Sequence, residues 1–314
     1  MNILVTGNQG YLGSVLTSML KDRGHLVHGL DNGMQSSTLV DPSGVCAPDS
    51  QFVDPWDTPD VRYDVVYHLA AISNDPMGEV DEGVTRKVNV TLVDYLCRKY
   101  PDARHVLASS ASVYGAIPSD DIADEMYPLN PLTAYARSKV EAESVVRRHW
   151  DYSILRMGTL WGASPNFRRD IVVNAFFHEA HLTGSIVPKA QARRPMLHVM
   201  DAARTMILAG YSGLWTNKVV NVGAENTTVS DIARAVSLST GATVDWSESK
   251  EPDKRDYAMD THRYESISAE LGNVLRVGDP GAMSAIRATI SDYGKPYPTR
   301  LEQLRAWLDK ERNS

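Results

Sequence analysis

Tyr135 and Lys139 are the pair of residues in this 314-residue sequence best suited to acid–base catalysis, because they stand four positions apart in a helical pattern. Side chains at that spacing share one face of a helix. A nearby ammonium favours the charged phenolate and lowers the pKa of a phenol from its usual value of about 10. Such a phenol takes the proton from an alcohol and returns it in the reverse reaction. Exposed pairs with this spacing are also common, so the interpretation depends on the neighbouring motifs.

A glycine pattern of the form GxxGxxG follows the first strand-like run, at Gly7, Gly10 and Gly13. The first glycine permits a tight turn, the second leaves room for a pyrophosphate at a helix N-terminus, and the third lets the helix approach the strand. Asp31 ends the next strand, where a carboxylate binds a ribose 2′-hydroxyl and repels a 2′-phosphate. The sequence therefore predicts a dinucleotide site, with NAD rather than NADP as its cofactor.

Short apolar runs that alternate with helical patterns predict the scaffold that positions these residues. Continuous apolar runs are typical of strands buried on both faces, and the helices between them make right-handed crossovers. We therefore expect an α/β fold, a Rossmann-like doubly wound parallel sheet. The predicted strands cover 3–5, 26–30, 64–69, 105–108, 152–156 and 218–222, and predicted helices lie near 11–22, 82–99 and 134–149.

The regular alternation ends after Gly162, and this change predicts two lobes. Residues 1–163, together with about 198–223, are expected to form a dinucleotide-binding domain. Residues 164–197 and 224–314 are expected to form a smaller, mixed α/β substrate-binding lobe. Ligands of such sheets bind at the carboxyl ends of the strands, so we expect the substrate in the cleft between the lobes.

Composition and charge argue against several other classes of function. The formal net charge is −7, whereas a protein that binds nucleic acid normally carries a basic excess. The two cysteines, Cys46 and Cys97, have no metal-ligand spacing, which predicts no metal site and no disulfide framework. No apolar run reaches the roughly 18 residues of a membrane span, and no targeting segment is recognisable. We expect a cytoplasmic protein without membrane or nucleic-acid partners.

Further motifs occur in order along most of the chain. Together with the glycine pattern and the tyrosine–lysine pair, they resemble the extended short-chain dehydrogenase/reductase family, and within it the NAD-dependent epimerase/dehydratase branch that acts on nucleotide sugars. The matching segments are His68-Leu69-Ala70-Ala71 (like HxAA), 109–115 (SSxxVYG), 135–139 (YxxxK), 194–201 (RDFIHVxD) and Asn221-Val222-Gly223 (NxG).

This resemblance implies roles for individual residues. Ser110, Tyr135 and Lys139 match the family's catalytic residues, with the serine bonding the same substrate oxygen as the tyrosine. The residues implied for NAD binding are Gly7, Gln9, Gly10, Tyr11, Leu12, Gly13, Asp31, Asn32, Asp54, Leu69, Ala70, Ala71, Asn89, Tyr135 and Lys139. Those implied for substrate binding are Ser73, Asn74, Ser112, Thr159, Arg194, Lys250 and Arg255.

Two of the substrate segments have simpler interpretations that the sequence leaves open. Lys250 and Arg255 stand in a charged run that is also typical of a solvated surface loop. Asn74, which precedes an aspartate and a proline, also fits a turn stabilised by side-chain hydrogen bonds. Thr159 stands where many epimerases carry asparagine, so the identity of the sugar stays open.

The two residues after Ser110 bear on the type of reaction. Related dehydratases carry Asp-Glu there to protonate a departing hydroxyl, and decarboxylases often keep the Glu, whereas this chain has Ala111 and Ser112. The resemblance therefore implies an NAD-dependent nucleotide-sugar epimerase that oxidises C4 of the sugar transiently. A 4-ketoreductase or dehydrogenase of a nucleotide-activated deoxysugar is the alternative, and a dehydratase, a decarboxylase or a non-catalytic dinucleotide sensor is less favoured. The implied partners are a nucleotide-diphosphate sugar and a second copy of the chain, through helices near 84–99 and 134–149.

Overall fold

The computed structural model describes residues 1–33, 54, 57–248, 251–252 and 255–271. Its strands are β1 (Asn2–Thr6), β2 (Leu26–Leu30), β3 (Val65–His68), β4 (Arg104–Ser110), β5 (Tyr152–Met157), β6 (Thr159–Trp161), β7 (Ser185–Ile186), β8 (Ala190–Gln191), β9 (Arg193–His198), β10 (Lys218–Val222), β11 (Glu225–Thr228), β12 (Thr243–Val244) and β13 (Glu251–Pro252). Its α-helices are α1 (Tyr11–Asp22), α2 (Asp75–Gly78), α3 (Glu82–Arg86), α4 (Leu92–Lys99), α5 (Ala134–Val146), α6 (Val172–Thr183), α7 (Val199–Tyr211), α8 (Val229–Thr240) and α9 (His262–Glu270). Among these described helices, none combines the length and the apolar character that crossing a membrane requires.

Six parallel strands form the central sheet, in the order β10-β5-β4-β3-β1-β2. Successive side chains of a strand point to opposite faces, and in this sheet both faces are apolar. Ile3 and Val5 of β1 belong to the apolar cluster that includes α1 and α7. Leu4, between them, packs with Val66 and Leu96 on the face covered by α4. Helices thus cover the sheet on both sides, and the predicted Rossmann-like doubly wound fold is confirmed.

A second apolar cluster lies between helices α6 and α8. Phe176 and Phe177 of α6 belong to it together with Ile232 and Val236 of α8. The neighbouring sheet, in the order β11-β9-β6, is mixed, because β9 pairs antiparallel with β11 and parallel with β6. These elements have the mixed α/β character predicted for the substrate-binding lobe, of which residues 272–314 lie outside the described part of the chain.

A buried ion pair joins α5 to the central sheet. Arg156 of β5 donates two hydrogen bonds to Glu143 of α5, at 3.0 and 2.8 Å, and both side chains are only 2% exposed. Ser109 of β4 donates to the same carboxylate at 2.6 Å. The Arg156 guanidinium also donates to the Tyr114 hydroxyl at 3.0 Å. Because each charge is paired and hydrogen-bonded, the network fixes α5 against β4 and β5 without leaving an isolated buried charge.

Candidate active site

A cavity of about 1300 Å³ lies at the carboxyl ends of the central strands, where ligands of this fold bind. Most of the residues predicted for the site line it together. These are Gly7, Gly10, Tyr11, Leu12, Gly13, Asp31, Asn32, Asp54, Leu69, Ala70, Ala71, Ser73, Asn74, Ser110, Ser112, Tyr135, Lys139, Thr159, Arg194 and Arg255. Gln9 and Asn89 are not part of the lining, and Lys250 lies outside the described residues.

Asn89 and Gln9, predicted to bind the cofactor, are in contact with residues of the cavity wall. The Asn89 side chain accepts from the Ile72 amide at 2.8 Å and donates to Ser138 Oγ at 2.8 Å. These bonds connect the segment after β3 to α5, so Asn89 supports the wall rather than lining it. The Gln9 backbone N–H donates to Asp31 Oδ2 at 3.0 Å, and Gln9 thereby orients a residue that does line the cavity.

The glycine-rich loop forms a cradle that leaves room for a dinucleotide. Gly7 has a φ of +70°, and a Cβ there would lie 2.6 Å from the Ala70 nitrogen. A Cβ at Gly13 would overlap the Gly7 carbonyl and prevent α1 from approaching β1. Helix α1 begins after Gly10 without a side-chain cap, and its first turn lines the cavity. Such a helix N-terminus presents amide donors and the positive end of the helix dipole, which fits the pyrophosphate of NAD.

The Asp31 carboxylate is held in place at the cavity wall. Besides the bond from Gln9, its Oδ1 accepts from the Gly33 amide at 2.9 Å. These two backbone contacts orient a negative charge at the end of β2. A ribose 2′-hydroxyl can donate to this carboxylate, whereas a 2′-phosphate is repelled. The geometry therefore supports the preference for NAD over NADP.

Gly10→Ala is expected to weaken NAD binding about tenfold or more, which is about 1.4 kcal/mol or more, and to leave the fold intact. Among the described residues, the added methyl group would meet only the Gly7 carbonyl, at 3.1 Å. It would also take up space at the helix N-terminus that fits the pyrophosphate. Calorimetric titration with NAD measures the Kd. Gly213→Ala is the matched control, because a Cβ there meets no atom of the described residues within 4 Å. Equal Kd values for wild type and both variants would contradict the proposed cradle.

Ser110, Tyr135 and Lys139 meet at the cavity wall. Tyr135 lies in the first turn of α5, and it lines the cavity together with Ser110 at the end of β4. Lys139 lies one turn later, where its Nζ donates to the Ala108 carbonyl at 2.8 Å. The same Nζ stands 5.8 Å from the centre of the Tyr135 ring. The structure therefore brings together the three residues expected to carry the chemistry.

Burial governs the ionisation of these groups. It raises the pKa of Tyr135 to about 12, and the polar influence of the nearby Ser110 side chain offsets only part of this rise. It lowers the pKa of Lys139 to about 8, an effect that the Glu143 carboxylate opposes. The protein's own groups therefore raise the pKa of Tyr135, and the expectation that they would lower it is wrong. The reason is that desolvation of the phenolate outweighs the effect of the neighbouring charges.

Two arginines supply positive charge at the cavity wall. Arg194 of β9 is 8% exposed, and its guanidinium lies 5.2 Å from the centre of the Tyr257 ring. Its Nη1 donates to the Arg255 carbonyl, so the two arginines are in contact. Arg255 in turn pairs with Asp75 at 3.4 Å. Both arginines predicted to bind the substrate thus line one cavity.

Sequence reasoning missed two charged residues, Arg168 and Asp170, that form hydrogen bonds with the predicted substrate-binding residues Ser73 and Asn74. Arg168 donates to Asp170 at 2.9 Å and to Ser73 Oγ at 3.3 Å. Asn74 donates to the other Asp170 oxygen at 2.6 Å, and its own Oδ1 accepts from the Met77 amide at 3.0 Å. Asn74 has a φ of +94°, which non-glycine residues rarely adopt, and these bonds hold it there. The side-chain turn left open by the sequence is thus present, and it also lines the cavity.

Comparison with known proteins identifies the family. The family model described as "NAD dependent epimerase/dehydratase family" matches residues 3–223, from β1 through β10. The chain belongs to this family. Membership confirms the family that the motifs resemble and the predicted cofactor, NAD.

One curated protein and two solved structures show what the chain is similar to. The UDP-glucose 4-epimerase of Mycolicibacterium smegmatis is 28% identical over 230 residues, 67% of this chain and 73% of that protein. The Thermus thermophilus UDP-glucose 4-epimerase, solved with NAD, has a TM-score of 0.72 and 24% identity, covering 95% of this chain and 100% of that one. MoeE5, solved with UDP-glucuronic acid and NAD, has a TM-score of 0.75 and 22% identity, and the match covers 92% of this chain and 99% of MoeE5. The two solved structures share the fold of this chain.

Proposed function

We propose that the protein is an NAD-dependent nucleotide-sugar epimerase that inverts C4 of the sugar through a transient oxidation. The observation that carries the proposal is that Ser110, Tyr135 and Lys139 line the same cavity as the glycine cradle and as Arg194 and Arg255. A dinucleotide site, an acid–base group and positive charge for a diphosphate thus meet in one place. This combination fits a substrate whose alcohol is oxidised while its phosphates are held.

Each group has a distinct task in the proposed reaction. NAD⁺, when bound, supplies the hydride acceptor and a positive charge that favours the phenolate. Arg194 and Arg255 bind the diphosphate of the substrate. Ser110 orients the C4 hydroxyl, and Tyr135 takes its proton and later returns it to the oxygen of the inverted sugar. Lys139, held by the Ala108 carbonyl, favours the phenolate while it is charged.

The contacts around Ser110 favour epimerisation over the loss of water. Ala111 is buried, and the Ser112 hydroxyl donates to Ser110 Oγ at 2.9 Å, so neither position provides an acid at neutral pH. Asp75, a carboxylate of the cavity wall, accepts from Thr133 at 2.6 Å and pairs with Arg255. In these contacts Asp75 acts as an acceptor and not as a proton donor.

The first substrates to test are UDP-sugars, because the relatives described above are named for UDP-glucose or were solved with a UDP-sugar. The test incubates the purified protein with UDP-glucose, UDP-N-acetylglucosamine and UDP-glucuronic acid, and follows the C4 epimers by NMR. We expect interconversion of one epimer pair without net consumption of NAD and without loss of water or carbon dioxide. Stoichiometric oxidation of added NADH by a 4-keto sugar, with no interconversion, would indicate a ketoreductase instead.

The value of kcat/KM is expected to fall as the pH rises above about 8. Lys139 is charged below its pKa of about 8, and it loses the charge that favours the phenolate as the pH rises through that value. Rates measured from about pH 6 to about pH 10 give the profile of the free enzyme. Lys139→Arg keeps its charge over this range and should lack the decline. An identical decline in this variant would exclude Lys139 as its cause.

We further propose that the chain forms two lobes around the cavity. One consists of residues 1–163 with 198–223, and the other of residues 164–197 with 224–314.

We also propose that two copies of the chain associate through α4 and α5. Both helices lie on the same side of the central sheet, where they pack side by side. Sedimentation equilibrium is expected to give the mass of a dimer. The mass of a single chain across the micromolar range would contradict the association.

A further inference from the structure

Three side chains that can bind a metal ion meet in the interior, away from the cavity. They are His68 at the end of β3, His105 on β4 and Cys97 on α4, and each is at most 8% exposed. Their ligand atoms all lie within 4.8 Å of one another. They occupy the layer between the sheet and α4, behind the loop that begins at Leu69 and lines the cavity.

The contacts within the cluster bring His68 Nε2 and Cys97 Sγ close to the same nitrogen, His105 Nδ1. His105 Nε2 lies 3.1 Å from the Tyr100 carbonyl, so the ring hydrogen belongs on that nitrogen and the lone pair on Nδ1. His105 Nδ1 then faces His68 Nε2 at 2.8 Å and Cys97 Sγ at 3.6 Å. The N–H of His68 and the S–H of Cys97 therefore compete as donors to the single lone pair on His105 Nδ1. In metal sites, a histidine ligand commonly donates its second ring N–H to a backbone carbonyl, which fixes the orientation of the ring. His105 makes this kind of contact with Tyr100.

We propose that His68, Cys97 and His105 bind one thiophilic d¹⁰ metal ion, Zn²⁺ or Cu⁺. One thiolate and two imidazoles form a ligand set that favours such ions over Mg²⁺ or Ca²⁺, which prefer oxygen. On binding, the Cys97 S–H bond breaks, the sulfur–metal bond forms and the proton is released to solvent. The His68 hydrogen moves to its second nitrogen as Nε2 becomes a ligand. No electron is transferred in this step.

The separations of the three ligand atoms, all within 4.8 Å, can be compared with those that a bound ion requires. Metal bonds of about 2.0 Å to nitrogen and about 2.3 Å to sulfur place the ligand atoms roughly 3.5 Å apart. Cys97 Sγ and His105 Nδ1 already have this separation, at 3.6 Å. The two imidazoles, at 2.8 Å, must move apart by about 0.7 Å. The ion would then link β3, β4 and α4, which gives it a structural rather than a catalytic role.

The test measures metal content and stability on the full chain. Protein purified from zinc-supplemented medium is expected to contain about one zinc per chain, or about one copper after anaerobic addition of Cu⁺. Replacement by Co²⁺ should produce the near-ultraviolet absorption of a sulfur–cobalt bond. Zinc at a hundredfold excess over its Kd should raise the Tm by about 5 °C.

Two variants and one control decide the outcome. Cys97→Ser and His105→Phe are each expected to bind less than about a tenth of the wild-type metal and to lose the rise in Tm; they remove different ligands, so one suffices if the other does not fold. Cys46→Ser, the matched control, changes the other cysteine of the chain and should bind normally. Metal-free wild-type protein in the zinc, copper and cobalt experiments would overturn the proposal, as would a sulfur–cobalt band that survives Cys97→Ser.

Discussion

Replacing Tyr135 by phenylalanine is expected to lower kcat about a thousandfold and to leave the Kd for NAD within about threefold of wild type. General acid–base groups contribute about 10²–10⁴-fold to a rate. Phenylalanine keeps the aromatic ring on α5 but removes the hydroxyl that we propose exchanges the substrate proton. Turnover of the active sugar nucleotide and calorimetric titration with NAD measure the two quantities.

Tyr127→Phe is the matched control for this substitution. The Tyr127 hydroxyl donates to Asp121 at 3.0 Å at the protein surface, and Tyr127 is not part of the cavity lining. Its kcat should stay within about twofold of wild type. Wild-type turnover in Tyr135→Phe, or an equal loss in both variants, would show that Tyr135 does not transfer the proton.

Glu143→Gln is expected to lower the free energy of unfolding by about 3 kcal/mol or more, because it leaves the Arg156 charge buried without its partner. Both side chains are 2% exposed, so solvent does not screen the unpaired guanidinium. The bond from Ser109 to the carboxylate is weakened as well, which loosens α5 beside the catalytic residues. Chemical denaturation followed by circular dichroism measures the change.

Glu141→Gln provides the control on the same helix. Glu141 pairs with Arg86, but the two side chains are 41% and 62% exposed, and such surface pairs contribute about 0–1 kcal/mol. A double change, Glu143→Leu with Arg156→Met, should recover much of the lost stability because no buried charge remains. Equal effects of Glu143→Gln and Glu141→Gln would contradict the importance of burial.

The central sheet and the dinucleotide loop can be predicted from the sequence because local patterns specify them. The apolar run at 3–5 is buried on both faces, as its continuous character indicates. The glycine spacing has an equally local cause, since a side chain at Gly7 or Gly13 would collide with backbone atoms of the loop or of the segment after β3. The tyrosine–lysine spacing likewise places Tyr135 and Lys139 on one helix face.

Contacts between distant segments cannot be predicted in this way. Asn74 and Asp170 are hydrogen-bonded although 96 residues separate them, and no spacing rule links them. His68 and His105 approach each other across 37 residues only because β3 and β4 are neighbouring strands. The direction of the Tyr135 pKa depends on burial, which the spacing of Tyr135 and a lysine does not reveal.

The central claim is that Tyr135 exchanges the proton of the C4 hydroxyl while the C4 hydrogen leaves and returns as hydride. The most direct measurement follows a deuterium atom placed at C4 of the active sugar nucleotide, in ordinary water. We expect the deuterium to stay at C4 in both epimers, with none in the solvent and no need for added NADH. Loss of the deuterium to water during interconversion would contradict it, because C4 would then be inverted through proton abstraction from carbon.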